Sequence, residues 1–227
     1  MIPYKFIFID KENIFYYDKE KWEGNEKEKT MNPDCIQIKP MVDYCHDISK
    51  EVTSIFVMAY YDELKTISKS KDKLEQAFRT AIQKEFFYVA EYHQKIVGIL
   101  ACTTNKKRAL LINKSTFQKS LGFFKGFLFY LFLKEEFNKD LPYPNEVGYI
   151  ECVATLPSAR GKGVATALLH YVLTDLPMKH YLLEVVDTNK RAIRIYEKAG
   201  FKETHRKKTK FPKLKGFNEK IYMELLK

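Results

Sequence analysis

Cysteine, histidine and long apolar runs are all scarce in this 227-residue chain, and each scarcity removes a class of protein. The four cysteines (Cys35, Cys45, Cys102 and Cys152) form no C-x-x-C pair. Cys102 and Cys152 sit in apolar, strand-like runs and read as reduced core residues of an intracellular protein. Five scattered histidines give a metal site no support, so no metal is expected. No apolar stretch reaches the roughly twenty residues that a membrane span needs. The first residues, MIPYKFIFIDKEN, lack the apolar core and small-residue cleavage site of a signal peptide. We therefore expect a cytoplasmic protein with no membrane partner. Internal repeats and low-complexity segments are also missing.

Acidic residues are outnumbered. Thirty-nine Lys and Arg against 29 Asp and Glu leave a formal charge of +10. The excess is spread along most of the chain and reads first as solvated surface; only 202–220 is locally dense. That stretch lacks the interleaved aromatic and basic platform of single-strand binding, so nucleic acid is disfavoured as a partner. With 45% hydrophobic and 30% charged residues the composition is that of a folded globular chain, long enough for one full core or one core with an insertion.

The most informative stretch is 148–175, GYIECVATLPSARGKGVATALLHYVLTD. Ile150, Cys152 and Ala154 alternate with Glu151, Val153 and Thr155, which predicts a strand with the two sets on opposite faces. Pro157 stops it, because proline has no N–H for a ladder. Arg160-Gly161-Lys162-Gly163-Val164-Ala165 is then a turn, and Val164, Leu168, Tyr171 and Val172 recur at helical spacing. Glycines at 161 and 163 let a ligand approach the main chain. The first N–H groups of the helix have no intrahelical partner, and the dipole is positive there, so the turn suits a pyrophosphate. A plain strand–helix turn is the competing reading. A dinucleotide fold wants a third glycine where Thr166 stands, and a Walker loop wants G-K-[ST] after four spacers.

Elsewhere, residues 1–33 read as an appendage of hairpin and loop. Residues 34–227 read as a single domain with an apolar helical insertion at about 103–146. Ile36 to Ile38 is a candidate first strand. Apolar positions 48, 52, 55, 56 and 59, then 74, 77, 78, 81 and 82, predict two one-sided helices. Strands follow at 86–90 and 96–102 around a polar turn at His93-Gln94. The run 121–137 is helical in pattern and apolar almost all round from Phe123 to Leu133, interrupted by Lys125, so burial on more than one side is expected. Core packing, a lid over a substrate channel, or a self-association surface that would make a homodimer all remain open for it. Residues 181–186 form a strand, Asn189 opens a helix that Gly200 ends, 205–220 is a basic loop, and 221–226 is a last strand.

Two of these features together resemble the GNAT superfamily of acyl-CoA-dependent N-acyltransferases. One is [QR]-x-x-G-x-[GA] at 160–165, after a strand and before a helix. The other is N-x-x-A-x-x-x-Y-x-x-x-G-F, here Asn189, Ala192, Tyr196, Gly200 and Phe201. The resemblance is tight over 148–201 and looser over 36–102 and the last strand. It does not cover 1–33 or the apolar helix.

It implies an α/β fold: a mixed, mostly antiparallel sheet flanked by helices, with acyl-CoA lying where the fourth and fifth strands splay apart. It further implies that Arg160, Gly161, Lys162, Gly163, Val164 and Ala165 bind the pyrophosphate, with Thr166 adding a hydroxyl. Val153 and Thr155 would pair their main-chain groups with the pantetheine arm, and Asn189 would contact the cosubstrate from the other side. The implied reaction is direct acetyl transfer from acetyl-CoA, as acyl-donor cosubstrate, to a primary amine of a small molecule or peptide. That chemistry needs a base for the amine and an acid for the departing thiolate. Tyr196 holds the family's acid position, against a core-tyrosine reading. Glu151 is either the base, through ordered water, or a residue that only orients substrate or pairs with a cation. Glu184 is a weaker base candidate. Tyr60, Tyr61 and Phe56 could wall the acceptor pocket together with 205–220. A non-catalytic acyl-CoA-binding module is the alternative.

Overall fold

The computed structural model describes residues 35–209, 212 and 216–227; the hairpin and loop expected over 1–33 lie outside the described residues. The elements run β1 (Gln37–Pro40), α1 (Ser49–Ala59), α2 (Tyr61–Leu64), α3 (Lys71–Arg79), β2 (Phe87–Tyr92), β3 (Lys95–Thr103), α4 (Lys114–Leu121) and α5 (Phe123–Phe137). They continue with β4 (Val147–Thr155), α6 (Val164–Asp175), β5 (His180–Val186), α7 (Lys190–Lys198), β6 (Lys202–Lys208) and β7 (Glu219–Leu226). One sheet holds the strands in the order β1-β2-β3-β4-β5-β7-β6. Every neighbouring pair is antiparallel except β4 with β5. The fold class is the mixed, mostly antiparallel sheet flanked by helices that the sequence implies.

Strand alternation divides the core into two layers. Phe87, Val89, Ile99 and Ala101 pack with Val52 and Phe56 of α1 and Leu74 and Phe78 of α3. Tyr88, Ala90, Leu100 and Cys102 pack with Val164, Leu168 and Val172 of α6 on the opposite face. The polar turn between β2 and β3 puts His93 and Gln94 at φ of 46° and 61°. Positive φ at both central residues suits a two-residue hairpin, because it matches the twist of the flanking strands.

Two expectations are corrected here. The first four residues of the basic loop expected over 205–220 belong to strand β6, which pairs antiparallel with β7 from Lys202↔Glu224 to Lys208↔Glu219 with a register shift between Glu203 and His205. Every residue of β6 is exposed. No apolar alternation marks it as a strand, and among the described strands it pairs with β7 alone. The apolar run at 121–137 is likewise not one helix buried on several sides. Gly122, at φ 91° and ψ 152°, ends α4 and starts α5. Asn113 caps α4 by accepting from the N–H groups of Ser115 and Thr116.

One side of α5 packs against the core through Leu133, Phe129, Tyr130 and Phe137, while Phe124 is 84% exposed. The Phe78 ring of α3 meets Phe117 of α4 and Phe137 of α5 at 5.3 and 6.2 Å, which ties one side of α5 to α3 and α4. The α4–α5 corner is tight because Gly126 lies against the Phe117 backbone, where an added Cβ would collide with the carbonyl. Gly126→Val is expected to separate the two helices and lower the unfolding free energy by about 2–3 kcal/mol, read from a urea titration.

Candidate active site

The site begins with an irregularity in β4. Ala101 of β3 pairs with Glu151, but Ile99 pairs with Ala154, so Cys152 and Val153 together oppose Leu100. This is a β-bulge, and Cys152 carries it at φ 56°. The extra residue resets the alternation. Glu151 lies opposite Ala101 and Ala154 opposite Ile99, both on the α1 face, and Cys152 packs there too. Ile150 and Val153 pack on the α6 face. The expectation that Glu151 points away from Cys152 and Ala154 is therefore corrected.

β4 and β5 part just there. Their parallel pairing ends at Ile150↔Leu183, although β4 runs on to Thr155 and β5 to Val186. Leu156 donates its N–H to the Val97 carbonyl on the β3 side, at 2.9 Å. By strand alternation Ala154 bonds in the same direction, and Val153 and Thr155 turn their peptide groups into the gap. The Tyr60 hydroxyl reaches into it from the end of α1 and donates to the Val153 carbonyl at 3.1 Å.

A cavity of about 1110 Å³ fills the gap. Arg160, Gly161, Gly163, Val164, Ala165 and Thr166 line it, as do Glu151, Val153, Thr155, Asn189 and Tyr196. Of the residues expected to hold the cosubstrate or to catalyse, Lys162 alone does not. Gly161 and Gly163 stand at φ 78° and 83°, in the left-handed region where glycine costs nothing. The first bond of α6 is Ala167 N–H to the Gly163 carbonyl, at 2.8 Å. The N–H groups of Val164, Ala165 and Thr166 thus have no acceptor within the helix, and all three residues border the cavity. This main-chain cradle has the donors and the space that a pyrophosphate requires.

Asn189 caps α7, accepting at Oδ1 from the Ala192 N–H at 3.0 Å. Beyond it Arg191, Arg194, Ile195 and Lys198 recur at helical spacing and all face the cavity. The Arg191 guanidinium comes to 3.0 Å from where a Cβ on Gly161 would stand, so it borders the turn. Sequence reasoning missed these cations. Their spacing on a helix that also carries Tyr196 was the available signal.

Tyr196 is 8% exposed, with its ring edge-on to Phe201 at 6.1 Å. Burial alone pushes its phenol well above the usual tyrosine range, and its hydroxyl has no hydrogen bond among the described residues. Glu151, also 8% exposed, is held by three donors. Oε1 accepts from the Thr103 hydroxyl and the Ala109 N–H at 3.3 and 3.2 Å, and Oε2 accepts from Arg108 at 3.3 Å. Across the gap Glu184 accepts from Lys220 at 2.5 Å. Of the proposed aromatic wall, Tyr60 borders the cavity, Phe56 is core, and Tyr61 donates its hydroxyl to the Lys69 carbonyl outside it.

The Arg108–Glu151 pair is buried on both sides. Arg108→Leu should leave an uncompensated carboxylate and cost about 3 kcal/mol of stability. The double variant with Glu151→Leu should recover most of that loss in denaturant unfolding.

The sequence model of the Acetyltransferase (GNAT) family matches residues 49–201. The chain belongs to that family. Family membership supports an acyltransferase, and the family generally uses acetyl-CoA. The fold is similar to that of an N-acetyltransferase from Staphylococcus aureus Mu50 (20% identity, TM-score 0.53, covering 83% of this chain and all of that one). It is also similar to that of a GCN5-related N-acetyltransferase from Kribbella flavida (13% identity, TM-score 0.54, covering 86% of this chain and all of that one). No curated protein matches the sequence.

Proposed function

We propose that this protein moves an acetyl group from acetyl-CoA directly to a primary amine of a small molecule or peptide. A single observation carries the reading. The main-chain cradle before α6, the open edge of β4 and the buried Tyr196 phenol all border one cavity. Acetyl-CoA supplies the activated acetyl group, and the chain does the rest. The N–H groups of Val164, Ala165 and Thr166, with Arg160 and Arg191, hold a pyrophosphate. Val153 and Thr155 orient an amide-bearing arm along β4, and Asn189, its Oδ1 engaged as a cap, offers its N–H₂ group from the far wall.

Tyr196 is the acid. A phenol whose pKa is raised by burial stays protonated throughout the neutral range and has its proton to give. Glu151 is the base. Three of its roughly four lone-pair sites are taken, and the last can hold a water against the incoming amine. The three donors on Glu151 equally favour a second reading, in which this carboxylate only braces the strand and the cavity binds acyl-CoA without turnover.

Calorimetry with acetyl-CoA, followed by release of free thiol in the presence of a panel of amines, separates the two. Binding with turnover supports the transferase, and binding without turnover on any amine supports the module. No binding at all would remove the cavity from consideration.

A further inference from the structure

Helix α5 turns toward solvent a face that acetyl transfer leaves unexplained. Phe124, Phe127, Leu128 and Leu131 recur at helical spacing and are 84, 37, 50 and 39% exposed; Phe123 beside them is 69% exposed. Phe123 and Phe124 meet edge to face, with centroids 5.4 Å apart, at the corner where Gly122 turns α4 into α5. No residue of either helix lines the active-site cavity.

The charged residues nearest the corner in sequence are of one sign. Lys119 and Lys125 stand within four residues of it in sequence, and the Lys114 ammonium sits 4.5 Å from the Phe127 ring centroid. The acids Glu135 and Glu136 come only at the far end of the helix.

We propose that the α4–α5 corner anchors the protein to the surface of an anionic bilayer. Phe123 and Phe124 enter the boundary between headgroups and acyl chains, Phe127 and Leu128 lie along it, and Lys114, Lys119 and Lys125 meet the lipid phosphates. Helix α5 has 15 residues, about 22 Å at 1.5 Å per residue, and no described helix is long and apolar enough to cross a membrane. A helix lying in the interface needs no such length.

Charge complementarity selects this occupant over a second copy of the chain. Two such corners face to face would oppose lysine to lysine between molecules of net charge +10, whereas anionic lipid attracts both the rim and the whole protein. The contact of Gly126 with the Phe117 backbone fixes the corner, so little freedom remains to be lost on insertion. Glu135, exposed at the other end, stays in water and tilts the helix with its N-terminus deepest.

The test is co-sedimentation of the full chain with vesicles of phosphatidylcholine alone and of phosphatidylcholine with one part in four phosphatidylglycerol. Partition onto the anionic vesicles should exceed that onto neutral ones at least about tenfold and fall as salt rises. The double variant Phe123→Ser, Phe124→Ser should reduce it at least about tenfold. Lys119→Glu with Lys125→Glu should reduce it about fivefold or more per lysine. All of these positions are exposed, and an unchanged thermal midpoint shows that the variants fold. The proposal is overturned if the protein ignores anionic vesicles, or if the phenylalanine variant pellets as the parent does. It is equally overturned if sedimentation equilibrium shows a dimer that the phenylalanine variant converts to monomer.

Discussion

Gly163→Val is expected to raise the dissociation constant for acetyl-CoA at least about a hundredfold while leaving a folded protein. Gly163 stands at φ 83° and ψ −3° as the residue that opens α6. A β-branched side chain there meets the left-handed penalty of about 1–2 kcal/mol, and the chain relieves it by moving the turn. The added methyls would also occupy the space through which a phosphate approaches the N–H groups of Val164, Ala165 and Thr166. Both effects fall on the cradle. The helix behind it is secured by Leu168, Leu169 and Val172, each at most 1% exposed, so the fold should survive with a lower melting temperature. Calorimetry measures the affinity, and circular dichroism confirms the fold. A folded variant that binds acetyl-CoA as the parent does would show that the turn is not the phosphate site.

Tyr196→Phe should lower turnover about 10²- to 10⁴-fold, the range of a lost general acid, with acetyl-CoA affinity unchanged within about twofold. The substitution removes one oxygen and keeps the ring against Phe201, so packing and cavity shape persist. The pH dependence follows from the direction of the shift. Burial disfavours the phenolate and raises the pKa, the acid form is the one present below the pKa, and so the proton remains in place through neutral and mildly alkaline pH. The parent's rate should therefore show no loss attributable to Tyr196 below about pH 10. An unchanged rate in Tyr196→Phe would make it a core tyrosine and turn attention to the binding-module reading.

What the sequence disclosed was what local chemistry dictates. Pro157, Gly161, Gly163, Asn189 and Gly200 each mark a backbone event that one residue type favours, and the strand–turn–helix and the capped α7 stand where those residues put them. The bulge was not legible. Nothing about a cysteine announces φ 56°; the departure of β5 and packing against α1 make that conformation necessary at Cys152. Nor does any spacing join Arg108 to Glu151, since the chain between them passes through α4 and α5 before returning in β4. The part of β6 from His205 to Lys208 was read as a loop because its side chains are exposed on both faces. Apolar periodicity reports burial and not pairing. In α5 the same logic misled in the other direction, because a helix apolar all round is silent about which side its neighbours leave open.

The parting of β4 and β5 has a further consequence. An open sheet has two rims, here β1 and β6 among the described residues. This sheet has two more in its interior, the facing lips of Val153–Thr155 and of β5 beyond Leu183. Exposed rims invite other chains to add a strand, but these are recessed within a walled slot. Only something as slender as one extended chain, with amides at peptide-like intervals, can complete them. On the proposed function, the extended arm of acyl-CoA lying in the slot would finish the sheet and add cohesion between its two halves.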